Sequence, residues 1–333
     1  MALVFDAALR ESLRDRRRRL EVALHASGTR PELVRLLLEV DGALDRLDRG
    51  TFGLCDECHD PIETERLLVD PFLRTCLDHL SPDEQRALEH DLGLAAQVQG
   101  ALLPRPDVRV PGFDVAFHSD PAGAVSGDYF DLIRPSAGRN ETLFLLGDVA
   151  GKGVAAAMLG SRLHAIFRSL AGVGLPIDEL IGRANAIFCG NILSAHYATL
   201  VCVAADAEGR VTWSNAGHLP VLATVGSVVR ELGRTGLPLG LFCSTGYTAE
   251  RLQLGRGDTL LFYTDGLSEA RDRANDDYGM ERIRRLLERH RGADARAIVT
   301  ACVEDLRTFR EGAPHTDDVT LLAVRYVGPE QPA

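Results

Sequence analysis

Nowhere does the 333-residue chain hold an apolar run approaching the roughly 20 residues needed to span a bilayer. Its first stretch, MALVFDAALRESLRD, breaks up the apolar residues with charges too early for a signal peptide. Both absences argue against a membrane protein and lead us to expect a cytoplasmic one. Positive charge is also short, with 37 Lys and Arg against 48 Asp and Glu, a formal net charge of −11. A surface of that sign argues against loose binding to the phosphate backbone of nucleic acid. One basic run exists, Arg16 to Arg19, and it reads as a solvated helix face. Internal repeats and low-complexity segments are missing too, which excludes solenoid and linker-like architectures.

What is present describes an ordinary globular chain, 45% hydrophobic and 26% charged. Its length predicts two domains and a connector. Leucines near helical spacing predict two helices before about residue 49, broken at Gly28-Thr29-Arg30-Pro31. A compact, turn-rich, cysteine-bearing stretch follows, so residues 1–80 form the first region. Ser81-Pro82-Asp83-Glu84 is a helix start, with serine as N-cap and proline in the first turn. That linker helix, within 81–106, carries Leu88, Leu92, Ala95 and Leu102 and stops before Pro104 and Pro106. It can pair with a second copy as a coiled coil or pack on its own domain. From 107 to 328 short β-rich runs alternate in groups with helices, and this texture predicts an α+β layered domain. The strands expected are 142–146, 197–204, 210–213, 259–263 and 319–327; the helices are 154–171, 177–193, 280–290 and 294–309.

Seven cysteines suit a reducing compartment as thiols or ligands. Cys55 and Cys58 stand two residues apart, and Cys76 and His79 repeat that spacing after seventeen intervening residues. Each pair can bend around one ion, and four such ligands close a tetrahedral structural zinc site. His59 is an alternative ligand with poorer geometry, because it adjoins Cys58. The other four cysteines, Cys189, Cys202, Cys243 and Cys302, lie among apolar neighbours and read as core packing.

Four blocks in the second domain share an aspartate at a strand end or turn: SGDYFD, GDVAGKG, YTDG and TDDVT. An Asp-Gly after a strand is ordinarily a turn. Four together suggest convergent hard oxygen ligands for magnesium or manganese. Two such ions could activate water and clamp phosphoryl oxygens.

The first region, through ALDRLDRGTFGLCDECHDPIETERL, resembles the zinc finger of the DksA/TraR family of RNA-polymerase-binding regulators over residues 43–80. Its helical tip, HASGTRPE, lacks the acidic pair that such regulators carry. The order SGDYFD, GDVAGKG, NAGHLP, TGLPLG, YTDG, TDDVT resembles the bacterial PPM, or protein phosphatase 2C, superfamily, in the SpoIIE and RsbU branch. That resemblance covers about residues 88–327. It implies a layered α-β-β-α sandwich that hydrolyses phosphoserine or phosphothreonine on phosphoproteins, usually STAS-domain antagonists of anti-sigma factors. Carried over by block, Asp128, Asp148, Asp265 and Asp317 are the catalytic ligands of two Mn2+ or Mg2+ ions, with the Val149 carbonyl as a further ligand. Asp131 and Asp318 stand behind them. Many eukaryotic relatives carry a histidine where this chain has Ala150, so the proton donor is unassigned. His218 reads either as that donor or as a packing residue, and Lys152 either as a phosphate attractant or as an exposed charge.

Two rival functions follow from the same residues. A pseudophosphatase would hold a partner without turnover, and a transcription regulator would bind RNA polymerase through the finger. Under the phosphatase reading, the zinc module and the linker helix regulate activity, the helix through a homodimer.

Overall fold

The computed structural model describes residues 2–27, 30–63, 66–67, 70–105, 107–134, 141–190 and 196–329, without the side chains of 2–9 and 26–27. The expected break at Gly28-Thr29, Pro106, and the end of the helix expected to reach residue 193 lie outside the described residues. Two compact units emerge, Met1–His90 and Asp91–Ala333. No described helix is long and apolar enough to cross a membrane.

In the first unit α1 (Ala2–Ser27) and α2 (Pro31–Arg49) form a hairpin. Leu13, Val40, Ala43 and Leu47 bury themselves between the two helices, with Phe52 and Phe72 closing the end. Recurrence every three to four residues puts these side chains on one face. α3 (Pro82–Leu102) opens with the expected cap. Ser81 donates its N–H and hydroxyl to Glu84 Oε2 at 2.9 and 2.6 Å, while Glu84 N–H returns a 3.3 Å bond to Ser81 Oγ. α3 buries none of its residues.

The second unit stacks two five-stranded antiparallel sheets. One has the order β1 (Phe113–Asp120), β10 (Val319–Tyr326), β9 (Thr259–Tyr263), β6 (Val221–Val225), β7 (Val228–Leu232). The other has β2 (Asp128–Ile133), β3 (Glu141–Val149), β4 (Ala198–Asp206), β5 (Arg210–Ala216), β8 (Glu250–Gln253). Alternate side chains on each strand enter different layers. Phe144 and Leu146 point between the sheets with Phe130, Val201, Phe262 and Leu322. Leu143 and Leu145 point outward under α4 (Gly153–Ala171) and α5 (Ile177–Cys189). Tyr263, Leu321 and Ala323 face α7 (Met280–Arg289) and α8 (Ala295–Arg310) on the far side. α8 is capped by Asp294, which accepts from Ala297 N–H at 2.7 Å. The four layers α-β-β-α match the expected architecture.

Candidate active site

Strand ends assemble the site. Asp128 opens β2 and Asp148 lies next to the end of β3, and the register sets the two directly opposite each other. β9 ends at Tyr263 and leads into the short helix α6 (Asp265–Ser268), while Asp317 and Asp318 immediately precede β10. Because β9 and β10 are hydrogen-bonded neighbours, Asp265 and Asp317 line the same cavity of about 370 Å3, together with Thr316 and Arg310.

Gly266 makes that approach possible. A Cβ there would lie 2.0 Å from the Asp318 carbonyl oxygen, so only glycine lets α6 rest on the Asp317-Asp318 backbone. The Asp-Gly pair is therefore a close contact rather than a free turn.

The carboxylates register one another electrically. Burial, then the charges of Asp265, Asp317 and Asp318, pushes the Asp148 carboxyl up to about 7, with Lys152 opposing. Burial and Asp317 raise Asp265. Burial also lifts Asp128 well above the usual range, against the Thr320 hydroxyl and helped by the charge of Asp148. Carboxyls crowded in this way favour either protons or cations as counter-charge. A group of four carboxylates suits hard divalent ions such as Mg2+ or Mn2+.

Supporting residues fix these acids. Thr264 and Thr320 both donate hydroxyls to Asp128 Oδ2, at 2.9 and 2.6 Å. They occupy that oxygen and leave Oδ1 for other partners. Asp318 accepts from the backbone N–H of Ala122 at 2.7 Å and of Gly127 at 2.6 Å, one bond per carboxylate oxygen. It thereby ties the SGD loop to the TDDVT block. Lys152 donates to the Thr316 carbonyl at 2.7 Å and pairs with Asp317 at 3.2 Å. The two threonines were visible inside the motifs YTDG and TDDVT, but residue type alone did not assign them a role.

Asp131 faces the opposite way. It is wholly buried and accepts two 2.8 Å bonds from Arg168 of α4 and one of 2.7 Å from Leu132 N–H. Three residues along a strand reverse the face, so Asp128 and Asp131 cannot share a site. Asp131 pins α4 to β2.

NAGHLP and TGLPLG form a brace beside the acids. Asn215 accepts at its carbonyl from Thr235 and Gly236 N–H, and its side chain accepts from His218 N–H at 2.8 Å. Gly217 packs so closely that a Cβ would lie 2.4 Å from Pro238. His218 Nδ1 is 2.8 Å from the hydroxyl of Thr199, the residue paired with Asp148 across β3 and β4. Complete burial lowers the His218 imidazole to about 4, so it is neutral near pH 7 and does not serve as a proton donor there. Of the two readings, packing and positioning fits.

In the first unit the four expected zinc ligands converge. The ligand atoms of Cys55, Cys58, Cys76 and His79 all lie within 4.8 Å of one another, the one such group among the described residues. His59 lies outside it. The Cys58 and Cys76 sulfurs are 3.8 Å apart, close to the ~3.8 Å edge of a tetrahedron with zinc–sulfur bonds of about 2.3 Å. The N–H of Cys58 draws the Cys55 thiol down to about 6 against burial, while, against the N–H of Asp60, burial and the neighbouring Cys55 and Cys76 sulfurs push the Cys58 thiol up to about 11, so the crowded sulfurs do not all ionise without a counter-charge. Thiolates and an imidazole fit zinc.

Two of the cysteines read as packing prove otherwise: Cys189 and Cys243 are joined as a disulfide. Cys202 and Cys302 are buried thiols, as expected.

Comparison with known proteins agrees with this geometry. The family model for Stage II sporulation protein E (SpoIIE) matches residues 138–327, more than half of the chain. The prokaryotic dksA/traR C4-type zinc finger matches residues 50–78. His79, the fourth member of the cysteine group, stands just beyond that match. Protein IcfG of Synechocystis is 26% identical over 283 residues, covering 76% of this chain and 44% of IcfG. Phosphoserine phosphatase RsbU of Bacillus subtilis is 25% identical over 246 residues, covering 72% of this chain and 71% of RsbU. The chain thus spans less than half the length of IcfG. Among solved structures, the SiaA-PP2C domain of Pseudomonas aeruginosa superposes with a TM-score of 0.65 at 22% identity, covering 73% of this chain and 98% of that domain. The second unit accordingly has the fold of a PP2C-type phosphatase domain, and the chain belongs to the SpoIIE family.

Proposed function

We propose that the protein is a cytoplasmic, metal-dependent phosphatase acting on phosphoserine or phosphothreonine in another protein. The observation that carries this reading is the meeting of Asp128, Asp148, Asp265 and Asp317 at the ends of β2, β3, β9 and β10. A pair of Mg2+ or Mn2+ ions bound there supplies water activation and neutralises phosphate charge. The chain's own part is positional. Thr264 and Thr320 hold Asp128, Asp318 holds the SGD loop, and Gly266 lets Asp265 approach Asp317. Lys152, on the rim, can turn from Asp317 toward an incoming phosphate once cations take up the acid's charge.

The test is Mn2+- or Mg2+-dependent hydrolysis of p-nitrophenyl phosphate by the full chain, beside Asp148→Asn and Asp265→Asn. Metal-dependent turnover that falls by two or more orders of magnitude in both variants is the expected result. A wild type without turnover at any metal concentration would leave a pseudophosphatase.

For substrate, RsbU is named a phosphoserine phosphatase, and the motif resemblance to its branch implies phosphorylated STAS-domain proteins in a partner-switching pathway. We assign residues 1–80 to a zinc module with one structural Zn2+ on Cys55, Cys58, Cys76 and His79, 81–106 to a linker helix, and 107–328 to the phosphatase. Leu88, Leu94 and Val98, exposed on α3, suit a homodimer through that helix. Such a dimer would let the zinc module regulate turnover; in analytical ultracentrifugation the wild type should sediment as a dimer and the Leu94→Glu, Val98→Glu variant as a monomer, and a monomeric wild type would refute it.

A further inference from the structure

Cys189, the last residue of α5, and Cys243, in the turn after TGLPLG, stand 54 positions apart in sequence and 5.6 Å apart at Cα. Neither belongs to the acidic site or to the zinc group. We propose that this pair is a reversible redox-modification site, closed by a peroxide and reopened by a thiol reductant.

Three observations support it. The pair is reachable: Cys243 is exposed and Cys189 half-buried, whereas Cys202 and Cys302 are 0% and 1% exposed. Burial pushes the Cys302 thiol up to about 12 and Cys202 higher still, which keeps both unreactive. Within the second unit, oxidation is thereby directed to the surface pair.

The pair is also held in place without its bond. Asn185, wholly buried one turn before Cys189, donates from Nδ2 to the Phe242 carbonyl at 2.8 Å and accepts at Oδ1 from Gly240 N–H at 2.9 Å. Leu239 exchanges two backbone bonds with Ala198, at 2.8 and 2.9 Å. The loop therefore stays beside α5 when the sulfurs are free, and neither closing nor opening demands refolding.

Finally, the exposed bond is accessible to attack by a thiolate, which is the property of labile rather than structural disulfides. The chemistry balances. The exposed Cys243 thiolate attacks hydrogen peroxide and releases hydroxide, giving a sulfenic acid. Cys189 sulfur displaces water from it. Two thiols lose two protons and two electrons, and one peroxide becomes two waters.

The clasp acts on one rim of the domain. Ala198 is the register partner of Val149, so the clasped segment lies one strand from the candidate ligand loop. Ile187, Leu241 and Phe242 are exposed on the clasped elements. Closing the bond stiffens that apolar rim.

The experiment uses the full chain, reduced, then exposed to sub-millimolar hydrogen peroxide, alkylated and digested with trypsin. Mass spectrometry should find peptide 184–210 joined to 235–251, and dithiothreitol should release them. Cys202 shares the first peptide, so Cys189→Ser decides the assignment: the link must vanish there and in Cys243→Ser. Hydrogen exchange should slow about tenfold or more at Gly240 and its neighbours on oxidation, while the reduced wild type keeps its native circular dichroism. The proposal fails if both cysteines are found alkylated after peroxide, if the link persists in Cys189→Ser, or if reduction unfolds the domain.

Discussion

Thr320 donates its hydroxyl to Asp128 Oδ2 at 2.6 Å, joining residues 192 positions apart in the chain. Thr264 reaches the same oxygen, and Thr320 N–H in turn donates to Thr264 Oγ1 at 3.0 Å. One carboxylate oxygen is thus held by β10 and by the turn after β9.

Replacing Thr320 by valine keeps the shape and removes the hydroxyl. Divalent-metal affinity, read by isothermal titration, should weaken about 10- to 100-fold, the usual cost of losing a group that orients a ligand. Thr264→Val should behave alike, and an unchanged affinity in both would refute the orienting role.

Gly266→Ala should be more damaging than its size suggests. The added methyl meets the Asp318 carbonyl, so α6 must lift and carry Asp265 away from Asp317. We expect turnover to fall roughly 100-fold or more, with the effect of a misplaced ligand. Turnover near wild type would show that α6 need not sit so close.

Chelation should separate the two units. Removing zinc, or substituting Cys55→Ser, should lower bound zinc by one equivalent and loosen the first unit, since a closed four-ligand site supplies much of such a module's folding energy. Zinc content and circular dichroism read both effects. Unchanged zinc in Cys55→Ser would remove that residue from the ligand set.

His218 should leave a signature in the pH dependence of stability. Its imidazole titrates at about 4 in the fold against an ordinary value near 6.5, with burial as the main cause and Arg234 assisting. Between those values the unfolded chain binds a proton that the folded chain refuses, so stability falls as pH drops through this window and levels off below it. The full difference corresponds to about 3 kcal/mol. Denaturant titrations should show His218→Asn losing about 3 kcal/mol less stability than wild type between pH 6.5 and 4.

The layered architecture was legible because each segment announced its own period. β9 came out with the expected bounds, and α4, α7 and α8 within a residue or two. Strands β1, β2, β6, β7 and β8 were not expected. β2, DYFDLI, is buried at every position, so its polar residues gave no alternation to read. The four aspartates and the zinc ligands carried local signatures. Thr264, Thr320 and Asp318 did not, because their partners lie far away in sequence and only strand pairing brings them near. The Cys189–Cys243 bond escaped for the same reason, since each cysteine alone resembles a core residue.

Asp318 lies just before β10, and β10 sits between β1 and β9 in its sheet. On a ribosome, every other strand among the described residues emerges before it. The loop bearing Asp128 therefore waits for the domain's final strand to receive its two anchoring bonds. A nascent chain that stops before Asp317 carries three of the four acids and lacks both Asp318 bonds, so the loop reaches its full anchorage only when β10 has been made.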